Sequence, residues 1–128
     1  MSIKRNGLPK PGANPLSQSV EANGFLFVSG STPKDANGHF VGGTIEVQAT
    51  AALENLLRRV AAAGYEVTDI VRVGVWLDDP RDASEFNKVY KQYFSAEHAP
   101  ARVCLQGTMI HDCKVELDCI AYRDPIQK

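Results

Sequence analysis

An arginine and a glutamate near the C-terminus are the residues of this sequence best suited to chemistry. Arg102 follows Pro100, which disfavours a helix through it, and the next residues are apolar and β-prone, so we expect Arg102 at the head of a strand. Glu116 lies in the run Lys114 to Tyr122, whose alternation is typical of a half-buried strand. A guanidinium matches a carboxylate with two hydrogen bonds, and a glutamate can position and deprotonate a water. The pair therefore suggests capture of a small acid followed by attack of water.

Only residues 107–112 separate the two predicted strands, a length that fits a hairpin. We therefore expect Arg102 and Glu116 to lie close together on neighbouring strands. One interpretation is a structural ion pair, which is the commoner role for such residues. The other is a guanidinium that grips a substrate carboxylate, beside a glutamate that handles a water. The residues by themselves favour the ion pair.

The cysteines and histidines offer a second, weaker set of reactive groups. Cys104 combined with His98 or His111 suggests a cysteine hydrolase, and His111 is followed directly by Asp112 and Cys113. Adjacent residues in a turn seldom face one another, which argues against a catalytic triad. The histidines and cysteines also lack a recurring metal-ligand spacing. Because the three cysteines have no paired spacing, they favour a reducing compartment over a disulfide framework.

The length, charge and composition of the chain limit the classes of protein to which it can belong. The 128 residues are 44% hydrophobic and 23% charged, which is typical of one globular domain spanning residues 1–128. A net charge of -1 and a pI near 6.3 lack the clustered basic excess that nucleic-acid binding requires. No apolar run approaches the ~20 residues of a membrane span, and the N-terminus has no apolar signal segment. We therefore expect a cytoplasmic protein without nucleic-acid or membrane partners.

The elements that must position the arginine and the glutamate follow from the periodicity of the apolar residues. Helical spacing predicts one helix over residues 44–63, capped by Thr44, and a second that begins in a capping box at Asp82 and continues to Phe94. Alternation predicts strands at residues 2–5, 18–22, 25–28, 67–77, 101–106 and 113–123. This order predicts an α+β fold, a mixed β-sheet with both helices packed on one face.

The face of the sheet turned away from the helices carries an unusual mixture of side chains. The alternation places apolar and charged residues there together, namely Arg72, Trp76, Glu116, Asp118, Ile120 and Tyr122. Such a surface is too apolar to be left wholly in water, so we expect another subunit to cover it. A catalytic cleft between subunits follows from this arrangement.

Several segments, in this order, resemble the RidA/YjgF/UK114 family of reactive-intermediate deaminases over nearly the whole chain. They are Phe27-Val28-Ser29-Gly30, Gln48 to Asn55, Val75-Trp76-Leu77-Asp78-Asp79, Phe86-Asn87-Lys88-Val89-Tyr90, Pro100-Ala101-Arg102 and Val115-Glu116-Leu117. The Pro-Ala-Arg strand start, followed by an apolar-Glu-apolar strand, is the most specific part. The resemblance implies a chorismate-mutase-like α+β fold and a homotrimer with sites at the subunit interfaces. It also implies that no metal or organic cofactor is used.

The resemblance further implies an activity and roles for individual residues. The family acts on enamines and imines left by pyridoxal-phosphate enzymes, such as 2-iminopropanoate and 2-iminobutanoate, and releases 2-oxo acids and ammonia. By this resemblance Arg102 anchors the substrate carboxylate and Glu116 positions the attacking water. The remaining pocket residues implied are Ser29, Gly30, Asn87 and Cys104.

Two positions depart from the family pattern. Leu16 stands where these deaminases commonly have tyrosine, and Ser31 stands where they commonly have glutamine. The departures suggest, as a hypothesis, a pocket reshaped toward a bulkier substrate such as 2-aminomuconate, with Leu16 as part of its wall. A competing interpretation is a protein that binds a carboxylate metabolite or a partner protein through Arg102 without turnover, since fold and anchor do not establish catalysis.

Overall fold

Six strands, two helices and two short 3-10 turns, Val67–Asp69 and Pro80–Asp82, form the part of the chain described by the computed structural model, residues 2–125. The strands are β1 (Ile3–Asn6), β2 (Ser19–Ala22), β3 (Phe25–Ser31), β4 (Ile70–Leu77), β5 (Ala101–Gln106) and β6 (Val115–Tyr122). The helices are α1 (Ile45–Ala62) and α2 (Ala83–Tyr90). The predicted α+β class is confirmed.

The strands form one mixed sheet in the order β1-β2-β3-β6-β4-β5. Neighbouring strands are antiparallel except for β4 and β5, which are parallel and connected through α2. The predicted hairpin between β5 and β6 is wrong, because β4 lies between them. A parallel pair needs a crossover connection, and this crossover places β5 at the outer edge of the sheet. The strands that carry Arg102 and Glu116 are consequently not neighbours.

The longer helix, α1, covers the central strands. The Thr44 hydroxyl oxygen caps its first turn by accepting a hydrogen bond from the Val47 backbone N–H at 3.4 Å. Gly64 follows the helix with a φ of 87°, a left-handed conformation that suits glycine and ends the helix. The apolar stripe, which includes Leu53 and Leu56, is buried in the core. No helix within the described residues combines the length and apolar character needed to span a membrane.

The shorter helix, α2, differs from its prediction at both ends. Asp82 makes no capping hydrogen bond, because its own backbone is already helical and continues the preceding 3-10 turn. Asp79 caps that turn instead, by accepting a hydrogen bond from the Arg81 N–H at 2.9 Å. The helix ends at Tyr90 rather than at Phe94, although Phe94 still packs in the core.

The two faces of the sheet differ because the helices pack against one of them. Alternate residues of β6, from Val115 to Ala121, are buried beneath the helices, so the residues between them project to the other side. We call that other side the open face. It carries a band of aromatic and aliphatic side chains made of Phe25, Phe27, Trp76, Ile120 and Tyr122. The predicted placement of apolar residues on this face is confirmed.

Candidate active site

Arg102 lies at the exposed edge of the sheet, on the side that the helices cover. It is in register with Val73 of β4, which is buried beneath the helices. Its Nη1 donates a hydrogen bond to Asn87 Oδ1 at 2.9 Å, and its guanidinium carbon lies 4.7 Å from the centre of the Tyr90 ring. No acceptor within residues 2–125 occupies its other N–H groups. The guanidinium is therefore fixed in place with donors left for a ligand.

Asn87 and Cys104 complete the region around Arg102, which we call the arginine face. Asn87 projects from α2 and is half-buried, so its amide holds the guanidinium. Cys104 follows Arg102 by two positions on β5, which places both side chains on the same face, and its free thiol is exposed. Burial raises the pKa of the nearby Tyr90 hydroxyl, an effect that the Arg102 charge opposes. The phenol therefore stays protonated at neutral pH.

Glu116 projects from the open face of the sheet. Its neighbours Val115 and Leu117 are buried beneath the helices, so its side chain points to the other side, next to Trp76 of β4. There the carboxylate occupies the space beside the Gly30 Cα that any other side chain at residue 30 would fill. Glycine at residue 30 is therefore what allows the carboxylate to lie where it does.

The Glu116 carboxylate lines an open groove of about 760 Å³, which we call the glutamate groove. Leu16, Ser29 and Gly30 line it as well, so four predicted site residues meet there. The Ser29 hydroxyl donates a hydrogen bond to the Ser17 carbonyl at 2.6 Å, which fixes the wall of the groove. The volume is typical of a small-molecule site.

The sequence prediction missed a polar wall of the glutamate groove that α1 supplies. Asn55 Nδ2 donates to two carbonyls of the loop after β3 at 3.0 and 2.9 Å. Arg59 Nη1 donates to the carbonyls of Ser29 and Gly30 at 3.3 and 3.2 Å. Asn55 and Arg59 are one helical turn apart, so their i, i+4 spacing on the polar flank of α1 was the signal that could have found them.

Arg102 and Glu116 of one chain are not brought together, which corrects the sequence prediction. Their strands are separated by β4, so the two backbones lie about two strand spacings, ~10 Å, apart. The side chains also project from opposite faces of the sheet. The ion-pair interpretation is wrong as well, because Arg102 takes part in none of the salt bridges within residues 2–125. The predicted residues thus form two separate groups, the arginine face and the glutamate groove.

The residues of the alternative cysteine site differ in burial. Cys113 is buried, its thiol donates toward the Val115 carbonyl at 3.6 Å, and burial raises its pKa. His111 is exposed, and its ring centre lies 5.1 Å from that of Phe40. Among the residues described, no group of three His, Cys, Asp or Glu side chains is arranged to hold a metal ion.

Known proteins resemble this chain over nearly its whole length. A family profile described as endoribonuclease L-PSP matches residues 9–123. A RutC family protein from Pyrococcus horikoshii is 39% identical over 118 residues, which are 91% of this chain and 92% of that protein. Escherichia coli TdcF, whose name assigns it provisionally to the reactive intermediate deaminases, is 36% identical over 88% of this chain and 91% of its own. The crystal structure of TdcF with bound serine has a TM-score of 0.80 and 34% identity, covering 95% of this chain and 98% of that one.

Proposed function

The chain belongs to the endoribonuclease L-PSP family, which also carries the names YjgF and Rid, and we propose that it hydrolyses imines and enamines of small 2-amino acids to 2-oxo acids and ammonia. The name of TdcF supports this activity at the level of the family. The observation that carries the proposal is the presence in one chain of a fixed guanidinium with unused donors and of a carboxylate at the wall of a groove. Capture of an acid and attack of water need these two groups.

Arg102 is the proposed anchor of the substrate. A 2-imino acid carries a carboxylate next to the C=N carbon, and a guanidinium offers it two parallel hydrogen bonds while never losing its own charge. Asn87 and the Tyr90 ring hold the guanidinium from one side, so the other N–H groups keep a constant direction. Cys104, on the same face, lines the anchor. TdcF was crystallised with bound serine, which is also a small molecule that carries a carboxylate.

Glu116 is the proposed general base and acid. It takes a proton from a water whose oxygen bonds to the imine carbon and passes that proton to the imine nitrogen, which gives a tetrahedral aminoalcohol. Glu116 then takes the proton of the new hydroxyl group and gives it to the nitrogen, the carbon–nitrogen bond breaks as the carbonyl forms, and ammonia leaves. One water is consumed for each 2-oxo acid formed, and no covalent enzyme intermediate is needed.

Both roles require a second copy of the chain. Arg102 and Glu116 project from opposite faces with β4 between them, so one chain offers half of a site at each place. The apolar band on the open face provides a surface for another copy. We propose a homotrimer with sites at its subunit interfaces, as the family resemblance implies, and we infer that the arginine face of one subunit meets the glutamate groove of the next.

The first experiment is an assay of imine decay. An amino-acid oxidase generates 2-iminopropanoate or 2-iminobutanoate, and semicarbazide traps whatever imine remains. We expect the protein to suppress trapping and to release ammonia. Glu116→Gln should lower the rate about 100- to 10,000-fold, the usual contribution of one positioned acid-base group. Arg102→Ala should lower kcat/KM about 100-fold or more through loss of a charge-assisted pair of hydrogen bonds.

The same variants distinguish a protein that binds a carboxylate without turning it over. Such a protein would not accelerate imine decay, and binding of 2-oxobutanoate, measured by calorimetry, would depend on Arg102 but not on Glu116. Faster turnover of 2-aminomuconate than of the short imines would instead support the bulkier substrate that Leu16 and Ser31 suggest. No acceleration with any of these compounds would refute the proposed activity.

A further inference from the structure

The side chain of Arg59 is placed unusually for a cation. It is half-buried between α1 and the end of β3, and burial lowers its pKa. Its Nη1 donates to the carbonyls of Ser29 and Gly30 and, at 3.2 Å, to the hydroxyl oxygen of Ser31. Within the described part of the chain it has no carboxylate partner. A guanidinium partly withdrawn from water is stabilised by a counter-ion, and among the described residues this half-buried one has none.

Arg59 and Glu116 lie on either side of the same glycine. The Glu116 carboxylate rests against the Gly30 Cα, whereas Arg59 Nη1 donates to the Gly30 carbonyl oxygen at 3.2 Å. Both side chains line the glutamate groove. A ligand bound at the Glu116 carboxylate is therefore separated from the Arg59 guanidinium by about the length of one residue.

Only one nitrogen of Arg59 is engaged by the protein. All three of its hydrogen bonds leave from Nη1, and the remaining nitrogens have no partner among residues 2–125. An arginine has five N–H donors, so most of its capacity is unused. The planar, paired N–H donors of a guanidinium match a carboxylate better than the compact charge of a lysine ammonium group does.

The surroundings of Arg59 favour an anion. The groove is lined by Lys34 and Arg58 in addition to Arg59, against the acidic side chains of Asp35 and Glu116. The Asp35 Oδ1 atom accepts the backbone N–H groups of His39 and Asn37 at 3.0 and 2.9 Å, bonds that lower the pKa of this carboxyl group. Within the described residues, Asp35 forms no salt bridge with Arg59.

Ser31 is in direct contact with Arg59. Its side chain is buried, and its hydroxyl oxygen accepts a hydrogen bond from Arg59 Nη1 at 3.2 Å. This short polar side chain therefore helps to fix the position of the guanidinium.

We propose that Arg59 binds a second acidic group of the substrate, so that the preferred imines are those of amino acids with two carboxylates. This inference rests on the proposed imine hydrolysis and adds the substrate class. Arg102 would hold the carboxylate next to the C=N carbon, Glu116 would act on the water, and Arg59 would hold the distal carboxylate at the far side of the glutamate groove.

The experiment compares two imines that differ by one acid group. Oxidases generate 2-iminobutanoate from 2-aminobutanoate and 2-iminoglutarate from glutamate, and trapping measures the decay of each. The native protein should give the higher kcat/KM with 2-iminoglutarate. Arg59→Gln should lower kcat/KM for the diacid by about 10- to 100-fold more than for the monoacid, the expected loss of one charge-assisted contact. Arg59→Lys should restore part of this difference.

Arg81→Gln is the matched control. Arg81 carries the same charge but lies outside both the glutamate groove and the arginine face, and its exposed guanidinium donates to Asp79 Oδ2 at 2.9 Å. Loss of this charge should change both rates by a similar, small factor, about threefold or less. An equal fall of both rates in Arg59→Gln would show that Arg59 only supports the groove wall, and would overturn the inference.

A second measurement does not depend on the folding of any variant. Calorimetry with the native protein should show about 10-fold or tighter binding of 2-oxoglutarate relative to 2-oxobutanoate. Equal binding of the two, or faster turnover of 2-iminobutanoate, would refute the diacid preference and leave the imine hydrolysis standing. Failure to hydrolyse either imine would refute the proposed function itself.

Discussion

The glutamate groove and the arginine face are built in different ways. In the groove, Gly30 is contacted from two sides, by the Glu116 carboxylate at its Cα and by Arg59 at its carbonyl oxygen. On the arginine face, Arg102 lies on an edge strand and is held by one hydrogen bond and the aromatic rings of Tyr90 and Phe86. The groove is thus organised within a single chain, whereas the arginine face ends at a surface.

This difference is the basis of the proposed shared site. Arg102 is an oriented cation on an exposed edge strand, and within residues 2–125 the Glu116 carboxylate lies on the opposite face of the sheet. Under the proposed function, each region is half of a site, and a second copy of the chain completes both. Each of the following predictions tests one side of this relation.

The largest effect is expected from mixing two inactive variants. Arg102→Ala chains keep an intact glutamate groove, and Glu116→Gln chains keep an intact arginine face. If the site is shared, unfolding and refolding the two together at equal amounts should give about a quarter of native activity, the fraction of interfaces that pair two intact halves. Imine decay assayed before and after mixing measures this gain.

The control for mixing is each variant refolded alone, which should remain inactive. Light scattering on the same samples gives the oligomeric state and should show a trimer. A mixture that stays inactive although its chains have exchanged would mean that no site joins Arg102 of one chain to Glu116 of another. A monomer of 14.0 kDa would remove the basis for the experiment altogether.

Gly30→Ala should cause the next largest loss, acting on the groove alone. Its Cβ would take the place of the Glu116 carboxylate, which must then move away from the water it positions. We expect kcat to fall about 100-fold, the usual cost of a small misplacement, with little change in KM. Steady-state kinetics with 2-iminobutanoate measure kcat and KM separately and so test this expectation.

Gly42→Ala is the matched control for Gly30→Ala. A Cβ at residue 42 meets no atom within 4 Å, so this variant should keep native kinetics. Thermal unfolding of both variants separates a local displacement from a loss of fold. Should Gly30→Ala alter KM and leave kcat intact, the Glu116 carboxylate does not act in the chemical step.

Substitutions of Asn87 test the arginine face, and their expected effect is smaller. Asn87→Ala removes the hydrogen bond that orients Arg102, and we expect KM to rise about 10-fold with kcat less affected. Asn87→Asp should be worse, because a carboxylate would bind the guanidinium in competition with the substrate. If the aspartate variant binds 2-oxobutanoate as well as the native protein does, Arg102 is not the anchor.

The features predictable from the sequence were those set by local chemistry. The Thr44 cap, Gly64 beyond the end of α1 and the alternation in β6 each depend on residues within a few positions of one another. Asp82 failed as a cap for an equally local reason, since the turn opened by Pro80 already supplies the helical geometry.

What the sequence could not reveal was which distant segments meet. A short loop between β5 and β6 fits a hairpin, but the crossover through α2 pairs β5 with β4 and leaves β6 between β3 and β4. The same limit applies to the contacts of Arg59, whose partners are the carbonyls of Ser29 and Gly30 and the hydroxyl of Ser31, 28 to 30 positions away. The i, i+4 spacing of Asn55 and Arg59 marks a polar flank of α1, but the groups that this flank contacts are decided by packing.

The smallest effect concerns the cysteines, one of which lies on the arginine face while the other two are buried in the interior. Cys104 is exposed on the arginine face, whereas burial raises the pKa of Cys119 to about 12. At pH 8 we expect iodoacetamide to modify Cys104 within minutes and to leave Cys113 and Cys119 intact until the protein unfolds. Mass spectrometry of the labelled peptides measures this.

Labelling of Cys104 should slow imine hydrolysis only about tenfold or less, because the added amide crowds the anchor without touching Glu116. Excess 2-oxobutanoate should protect the thiol if Arg102 holds the acid beside it. The buried Cys119 thiol makes the stability of the folded protein depend on pH. Because the pKa of Cys119 is raised on folding, its contribution to stability is full below pH 9 and is lost as the pH rises toward 12. Rapid labelling of Cys119 in the folded protein at pH 8 would contradict the burial from which both expectations follow.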